Sequence, residues 1–347
     1  MMSTRQDASL RIISAGPGTT LQDAGRHGFL RYGITAAGPM DPLAHATANI
    51  AVGNAPGATA VEVALGGIEA TAESRPLTVA VAGGDFAISL DGRLLPSAVV
   101  VMTLEPSAVL RIRAGQSGAW CYLAVAGRFI VPQVLGSNAT HTRTGFGGVE
   151  GRAIKADDRL RVAPAEGAAS PPGLVAAPWL DRPPGVIRVV LGPQDDYFAE
   201  EQIAAFRDGP WTVSARADRM AYFIDGPKLM HARGYNIVSD GIAMGAIQVP
   251  GNGRPIILMA DRQSTGGYPK IATVIGPDLG RLAQMRAGLK FRFEVVTIEQ
   301  AVATRRAEAA ALARSMVTES LVRTQFSPEF LLSLNLIDGV VAPGALS

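Results

Sequence analysis

Cysteine is almost missing from this sequence: Cys121 is the one such residue in 347. A lone cysteine makes no internal disulfide, and with no histidine or acid close by in the chain it reads as a small apolar member of the run AWCYLAVAG, not as a nucleophile. An excess of one charge sign is missing too. The 32 Lys and Arg against 30 Asp and Glu leave a formal charge of +2, scattered along the chain, which excludes the basic footprint of a nucleic-acid or acidic-membrane binder. No apolar run reaches the ~18 residues needed to span a bilayer, and the opening MMSTRQDASLRIISAG has no signal-peptide core, so a cytoplasmic protein with no membrane partner is expected. On that expectation the Asn-Ala-Thr sequon at Asn138 is a turn and not a glycan site.

Familiar catalytic signatures are absent as well. There is no G-x-x-x-x-G-K-[ST] phosphate loop, and the Lys of GGYPK follows Pro instead of opening a helix. The four histidines, His27, His45, His141 and His231, match no metal spacing, so no metal site is expected. G-x-S-x-G is missing, which disfavours a self-sufficient serine hydrolase.

What is plentiful is Gly (39) and Pro (23), a composition that favours short strands and tight turns over long helices. The length fits two units. The Pro- and Ala-rich stretch from Ala163 to Gly185 carries no periodicity, which places one β lobe at 1–165, a linker at 166–185 and a second β lobe with a C-terminal helix and tail at 186–347. LTVAVAG, FAISL, AVVVMTLE, AVLRIRAG and AWCYLAVAG read as strands of an antiparallel barrel, with Asp91-Gly92 as a hairpin turn. Helices are few. Asp41-Pro42 is a start signal for a helix running to Gly53, DYFAEEQIAAF and PDLGRLAQMRAG are short candidates, and IEQAVATRRAEAAALARSMVTE is the one long helix.

Two polar constellations stand out. GPGTTLQDAGRHGFLRYGITAAGPMD crowds Asp23 and Arg26 into one turn and leads to Asp41. The second, GAIQVPGNGRPIILMADRQSTGGYPK, ends an apolar strand in Asp261, Arg262, Gln263, Ser264 and Thr265, followed by Gly266, Gly267, Tyr268 and Lys270, with Gln248 upstream. Asp261 can move a proton, Lys270 or Arg262 can stabilise an oxyanion, and Gln263 matches an amide edge. Each stretch also reads as nothing more than a local turn with solvated tips.

These two stretches, in this order, resemble the second-subunit family of the allophanate hydrolase/urea amidolyase type, also known as the Kip-type antagonist family. The matching runs are GPGTTLQDAGRHGFLRYGITAAGPMDPLAHATANIAVGNAPGATAVEVALGG and SDGIAMGAIQVPGNGRPIILMADRQSTGGYPKIATVIGPDLGRLAQMRAGLKFRF, with Ser264 where the family commonly has Thr. The resemblance implies a mainly β fold of two cyclophilin-like barrel lobes. Its first functional implication is the C-type subunit of an ATP-dependent 5-oxoprolinase, opening 5-oxo-L-proline to L-glutamate with a Kip-type first subunit and a lactam-utilisation-type subunit. A biotin-dependent carboxyltransferase subunit acting on urea or a related amide, and a regulatory binding protein, remain the alternatives. The site implied pairs Asp261, Arg262 and Lys270 as catalytic groups with Gln263, Ser264, Thr265, Gly266, Gly267, Tyr268, Gln248, Asp23, Arg26 and Asp41 around the substrate.

Overall fold

Apolar runs such as LTVAVAG, whose one polar residue is Thr78, form a strand where both faces are covered. The computed structural model, which describes residues 7–95, 99–165, 171–314, 316 and the backbone of 318–319, shows how that is met. In the strand Leu77–Gly83, Val79 and Val81 point into one core while Ala80 and Ala82 point into another. The neighbouring strands Val99–Leu104 and Cys121–Val125 split in the same way: Val100, Met102 and Leu123 go to the first core, and Val101, Tyr122 and Ala124 to the second.

The first core lies between two sheets, each seven-stranded among the described residues. One runs from Arg128–Phe129 through Ala8–Ala15 and Ile68–Ala72 to Arg93–Leu95, and the other from Thr20–Gln22 through Ala60–Val63 and Leu77–Gly83 to Thr318–Glu319. The second core is closed by helix α1, Pro42–Ala51, whose small residues Ala44, Ala48 and Ala51 let it lie close on the sheet. Asp41 caps α1 through the Ala44 amide, with Pro42 at the first helical position, as the sequence signal predicts. The Asp91-Gly92 hairpin is also in place, both residues at positive φ (49° and 80°).

Strands from Val186–Leu191 to Lys290–Val295 form a closed barrel, sealed by the parallel pairing of those two strands and filled by Trp211, Ile247, Ile257 and Phe293. The expected mainly β class thus holds, with closure confined to this barrel and two facing sheets before it. Part of the expected linker behaves differently: Gly173–Val175 pairs with Val99–Val101 as a strand, because Leu174 and Val175 can extend an apolar sheet edge. Thr318–Glu319, expected with the second lobe, adds to that same edge. Residues 166–170 of the linker and the 326–347 tail lie outside the described residues.

Three further α-helices among the described residues flank the barrel: α2 (Glu200–Asp208), α3 (Gly276–Ala283) and α4 (Ile298–Leu312). The long C-terminal helix expected over 298–319 is seen in α4, opened by a capping box between Thr297 and Gln300, but it ends at Leu312, and Thr318–Glu319, read as its last residues, pair at the sheet edge instead. No helix of the described residues is long and apolar enough to cross a membrane. The barrel meets the sheets along a polar seam, where Gln284 of the barrel side bonds the Ala119 and Trp120 amides and Arg286 bonds the carbonyls of Gly115 and Gly118.

Candidate functional site at the seam

The barrel strand Ile256–Leu258 ends at the seam, and the residues after it are delivered there. Asp261 is held by its main chain, its N–H donating to the Arg219 carbonyl at 2.8 Å. Arg219 sits on the tight turn between Trp211–Ala217 and Ala221–Asp225, closed by Asp218 bonding the Met220 and Ala221 amides. Its guanidinium donates to both Asp261 oxygens at 2.8 Å, to the Gly38 carbonyl at 2.8 Å, and to Glu62 on the opposite sheet. Glu62 in turn accepts from the Met40 amide at 2.8 Å and the Tyr122 hydroxyl at 2.7 Å. Asp261–Arg219–Glu62 is therefore a buried charge clamp across the seam.

The electrostatics follow from burial and pairing. Burial works against the Arg219 charge, but Asp261 and Glu62 outweigh it and raise its pKa. Burial raises the Glu62 pKa and Asp261 adds to the rise, while Arg219, the Met40 amide and the Tyr122 hydroxyl, all donors to it, oppose. Burial lowers the Arg262 pKa, with Asp261 acting in the opposite direction.

Around Asp261 the seam opens into two chambers. The smaller, about 280 Å³, has Asp261, Arg262, Gln263 and Ser264 on the barrel side and Thr35 and His141 on the sheet side. The larger, about 570 Å³, shares Arg143, Met220 and Asp261 with it and has Trp120, Tyr222 and Met285 along its wall. Arg262 donates through Nε to the Ile242 carbonyl at 2.9 Å, and Thr35 donates to the Ala260 carbonyl at 3.2 Å. His141 is buried, its Nδ1 2.6 Å from the Thr144 hydroxyl, and burial lowers its pKa, with the Asp261 charge opposing.

The residues selected from the sequence therefore separate. Asp261, Arg262, Gln263 and Ser264 line the small chamber. Thr265 and Gly266 leave it to pair with Asp240–Gly241 in a short ribbon. Beneath that ribbon Lys270, buried, donates to Asp240 at 2.9 Å, and Gln248 lies beside it on the adjoining strand. A Cβ on Gly266 would come within 2.5 Å of Gln248 Nε2 and 2.7 Å of Ile242 Cδ1, so this glycine makes room for side chains of its own barrel. Gly267 packs against the Ile237 carbonyl, and Tyr268 is exposed.

The first constellation holds backbone in place. Asp23 accepts from the Gly25 and Asn138 amides at 2.8 and 2.6 Å and from the Ser137 hydroxyl at 2.6 Å, fixing the loop that carries His141. Arg26 is buried under that loop against the Ala139 carbonyl, and Asp41 caps α1 while holding Arg182 and Gln284. Asp23 and Asp41 were expected around the substrate; here the Asp23 oxygens accept from two amides and the Ser137 hydroxyl, and those of Asp41 from the Ala44 amide, Arg182 and Gln284. Arg219, Glu62 and His141 were not singled out from sequence, since no local pattern joins residues so far apart in the chain.

The site thus belongs to a paired β scaffold with a charge-clamped cleft between its parts, the walls more apolar than polar. The chain belongs to the family described as "carboxyltransferase domain, subdomain A and B", whose model matches residues 32–295. It is 37% identical over 295 residues to the 5-oxoprolinase C subunit of Haemophilus influenzae, covering 85% of this chain and 94% of the relative, and 37% identical over 303 residues to the Escherichia coli protein of the same name, again covering 85% and 94%. The crystal structure of the K. lactis urea amidolyase overlays on 90% of this chain and 20% of its own with a TM-score of 0.82 at 26% identity.

Proposed function

We propose that this chain is the C-type subunit of a 5-oxoprolinase complex that opens 5-oxo-L-proline to L-glutamate with hydrolysis of ATP. The observation that carries the reading is end-to-end correspondence: two 5-oxoprolinase C subunits are matched over 94% of their length, whereas the urea amidolyase is matched over 20% of its own. The small chamber supports it. At about 280 Å³ it lies below the ~300–1,000 Å³ of drug-sized pockets, which suits a five-membered lactam. Arg262 stands where a substrate carboxylate or a developing oxyanion would be met, and Gln263 offers an amide both a donor and an acceptor. In this reading Lys270, bound to Asp240, shapes the barrel next to the chamber.

In this reading ATP is used by the complex, and this sequence carries no G-x-x-x-x-G-K-[ST] phosphate loop. The chain then works only with partners, a Kip-type first subunit and a lactam-utilisation-type subunit. Exposed apolar side chains support such docking: Met230, Tyr235 and Val238 stand on the loop that packs against Gly267 beside exposed Tyr268. The interface expected is large, ~2,000 Å² or more.

A carboxyltransferase acting on urea or a related amide is the second reading, favoured by the overlay with urea amidolyase and by the larger chamber. That chamber's Trp120, Tyr222 and Met285 would face the bicyclic ring of biotin. The test is to purify the chain with the products of its neighbouring genes and assay both reactions. ATP-dependent glutamate release from 5-oxo-L-proline supports the first reading. Bicarbonate-dependent ATP use with urea supports the second, and neither reaction in a stable complex supports a binding protein of the Kip-type antagonist class.

A further inference from the structure

The small chamber has on its wall a buried side-chain nitrogen that the fold leaves without a partner. His141 is only 6% exposed, and its main chain is pinned to Phe146 in both directions, N–H to carbonyl at 2.8 Å and carbonyl from N–H at 3.3 Å. Nδ1 meets the Thr144 hydroxyl at 2.6 Å; Nε2 has no partner within hydrogen-bonding geometry, although the Asp261 main-chain carbonyl lies near enough to the ring to oppose the lowering of its pKa. Leaving a buried polar atom unpaired costs ~1–3 kcal/mol, a cost that a bound ligand would remove.

We propose that His141 is the general base of the amide site, its Nε2 taking the N–H proton of the substrate amide. The inference rests on the amide-acting reading above and deepens it. The Thr144 hydroxyl can direct its own proton to the His141 carbonyl, 3.5 Å away, and accept from Nδ1–H; in that tautomer Nε2 carries a lone pair. Asp261 is the poorer base, because both of its oxygens already accept from Arg219. In the step, the amide N–H bond breaks and an Nε2–H bond forms. The electron pair stays on the amide, spread over nitrogen, carbon and oxygen as an imidate, whose oxygen can attack the γ-phosphorus of ATP and displace ADP in the lactam reaction, or whose nitrogen can attack the carboxyl carbon of a carboxyl donor in the urea reaction. The imidazolium is stabilised by the Asp261 charge.

The charged groups facing the ring are Asp261, Arg219 and Arg26, with Arg262 and Arg143 also on the chamber wall. Burial lowers the His141 pKa most, Asp261 opposes, and Arg219 and Arg26 add to the lowering, so the ring is neutral and ready to accept a proton at pH 7. Activity should then fall along an acid limb below the usual imidazole range.

Two measurements test this. In ring nitrogen-15 NMR of the full chain, the signal missing from His141→Gln should shift when 5-oxo-L-proline or urea is added to the wild type. In the assembled complex, His141→Gln should lower kcat ~10²–10⁴-fold with little change in KM and abolish the acid limb. Thr144→Val, which keeps the ring but loses its orienting hydroxyl, should lower kcat ~10-fold. A His141→Gln complex within about threefold of wild type, an unchanged acid limb, or a ring deaf to both amides overturns the proposal. A ring that responds to urea in a complex with no turnover of 5-oxo-L-proline would sink the oxoprolinase reading while leaving the base in place.

Discussion

Replacing Arg219 by Met should cost the protein about 3–5 kcal/mol, the range found when one partner of a buried ion pair is removed. The side chain is almost fully enclosed, and its guanidinium makes two bonds to Asp261, one to Glu62 and one to the Gly38 carbonyl. Met fills similar volume but leaves two buried carboxylates without a cation. Glu62, fully buried, would then take up a proton at higher pH than in the wild type. A carboxyl whose folded pKa is raised holds more protons folded than unfolded, so the variant should be weakest at high pH and recover as pH falls. Adding Glu62→Gln removes one of the stranded charges, and the double variant should be more stable than the two single losses sum to, by ~1–3 kcal/mol. Urea melts followed by tryptophan fluorescence read all of this, with Trp120 at the seam and Trp211 in the barrel. An Arg219→Met protein within ~1 kcal/mol of wild type at pH 7 would refute the clamp as the element that joins sheet to barrel.

Other outcomes follow from single contacts. His45 is fully buried, and burial lowers its pKa from 6.5 to about 4; the folded ring stays neutral while the unfolded one protonates, so stability is complete above pH 6.5 and falls by about 3 kcal/mol as pH drops to 4. Urea melts across that range should be flatter for His45→Gln than for wild type, and parallel curves would reject the assignment. Gly266→Val should destabilise by ~1–3 kcal/mol through collision with Gln248 and Ile242; a fully stable but inactive variant would mean that the glycine faces ligand. Lys270→Met should leave kcat within a few-fold of wild type, because its charge is spent on half-exposed Asp240. A hundredfold loss with unchanged melting would return the lysine to the chemistry.

Local signals in the sequence were legible wherever the physics is local. The Asp41-Pro42 cap, the Asp91-Gly92 hairpin and the Thr297–Gln300 box each depend on a few adjacent residues. Resemblance carried the fold further than periodicity could, since doubly buried runs such as LTVAVAG show no alternation to read. Within the site, ADRQS was legible as a wall but GGYPK was not separable from it. The chain turns into the ribbon at Thr265, and strand pairing with Asp240–Gly241, well upstream in the chain, decides the direction. The polar turn at Asp23 was expected around the substrate because sequence shows the carboxylate and not the backbone amides that bond it. His141, Arg219 and Glu62 come together only in three dimensions, and no spacing among them announces it.

The most direct test of where substrate is held is a crystal structure of the chain with 5-oxo-L-proline bound. The lactam should occupy the small chamber between Asp261–Ser264 and the His141 loop, its N–H within hydrogen-bonding distance, ~2.7–3.2 Å, of His141 Nε2 and its polar oxygens facing Arg262. Ligand seated instead beside Lys270, Gln248 and Asp240, with the small chamber empty, would contradict the account.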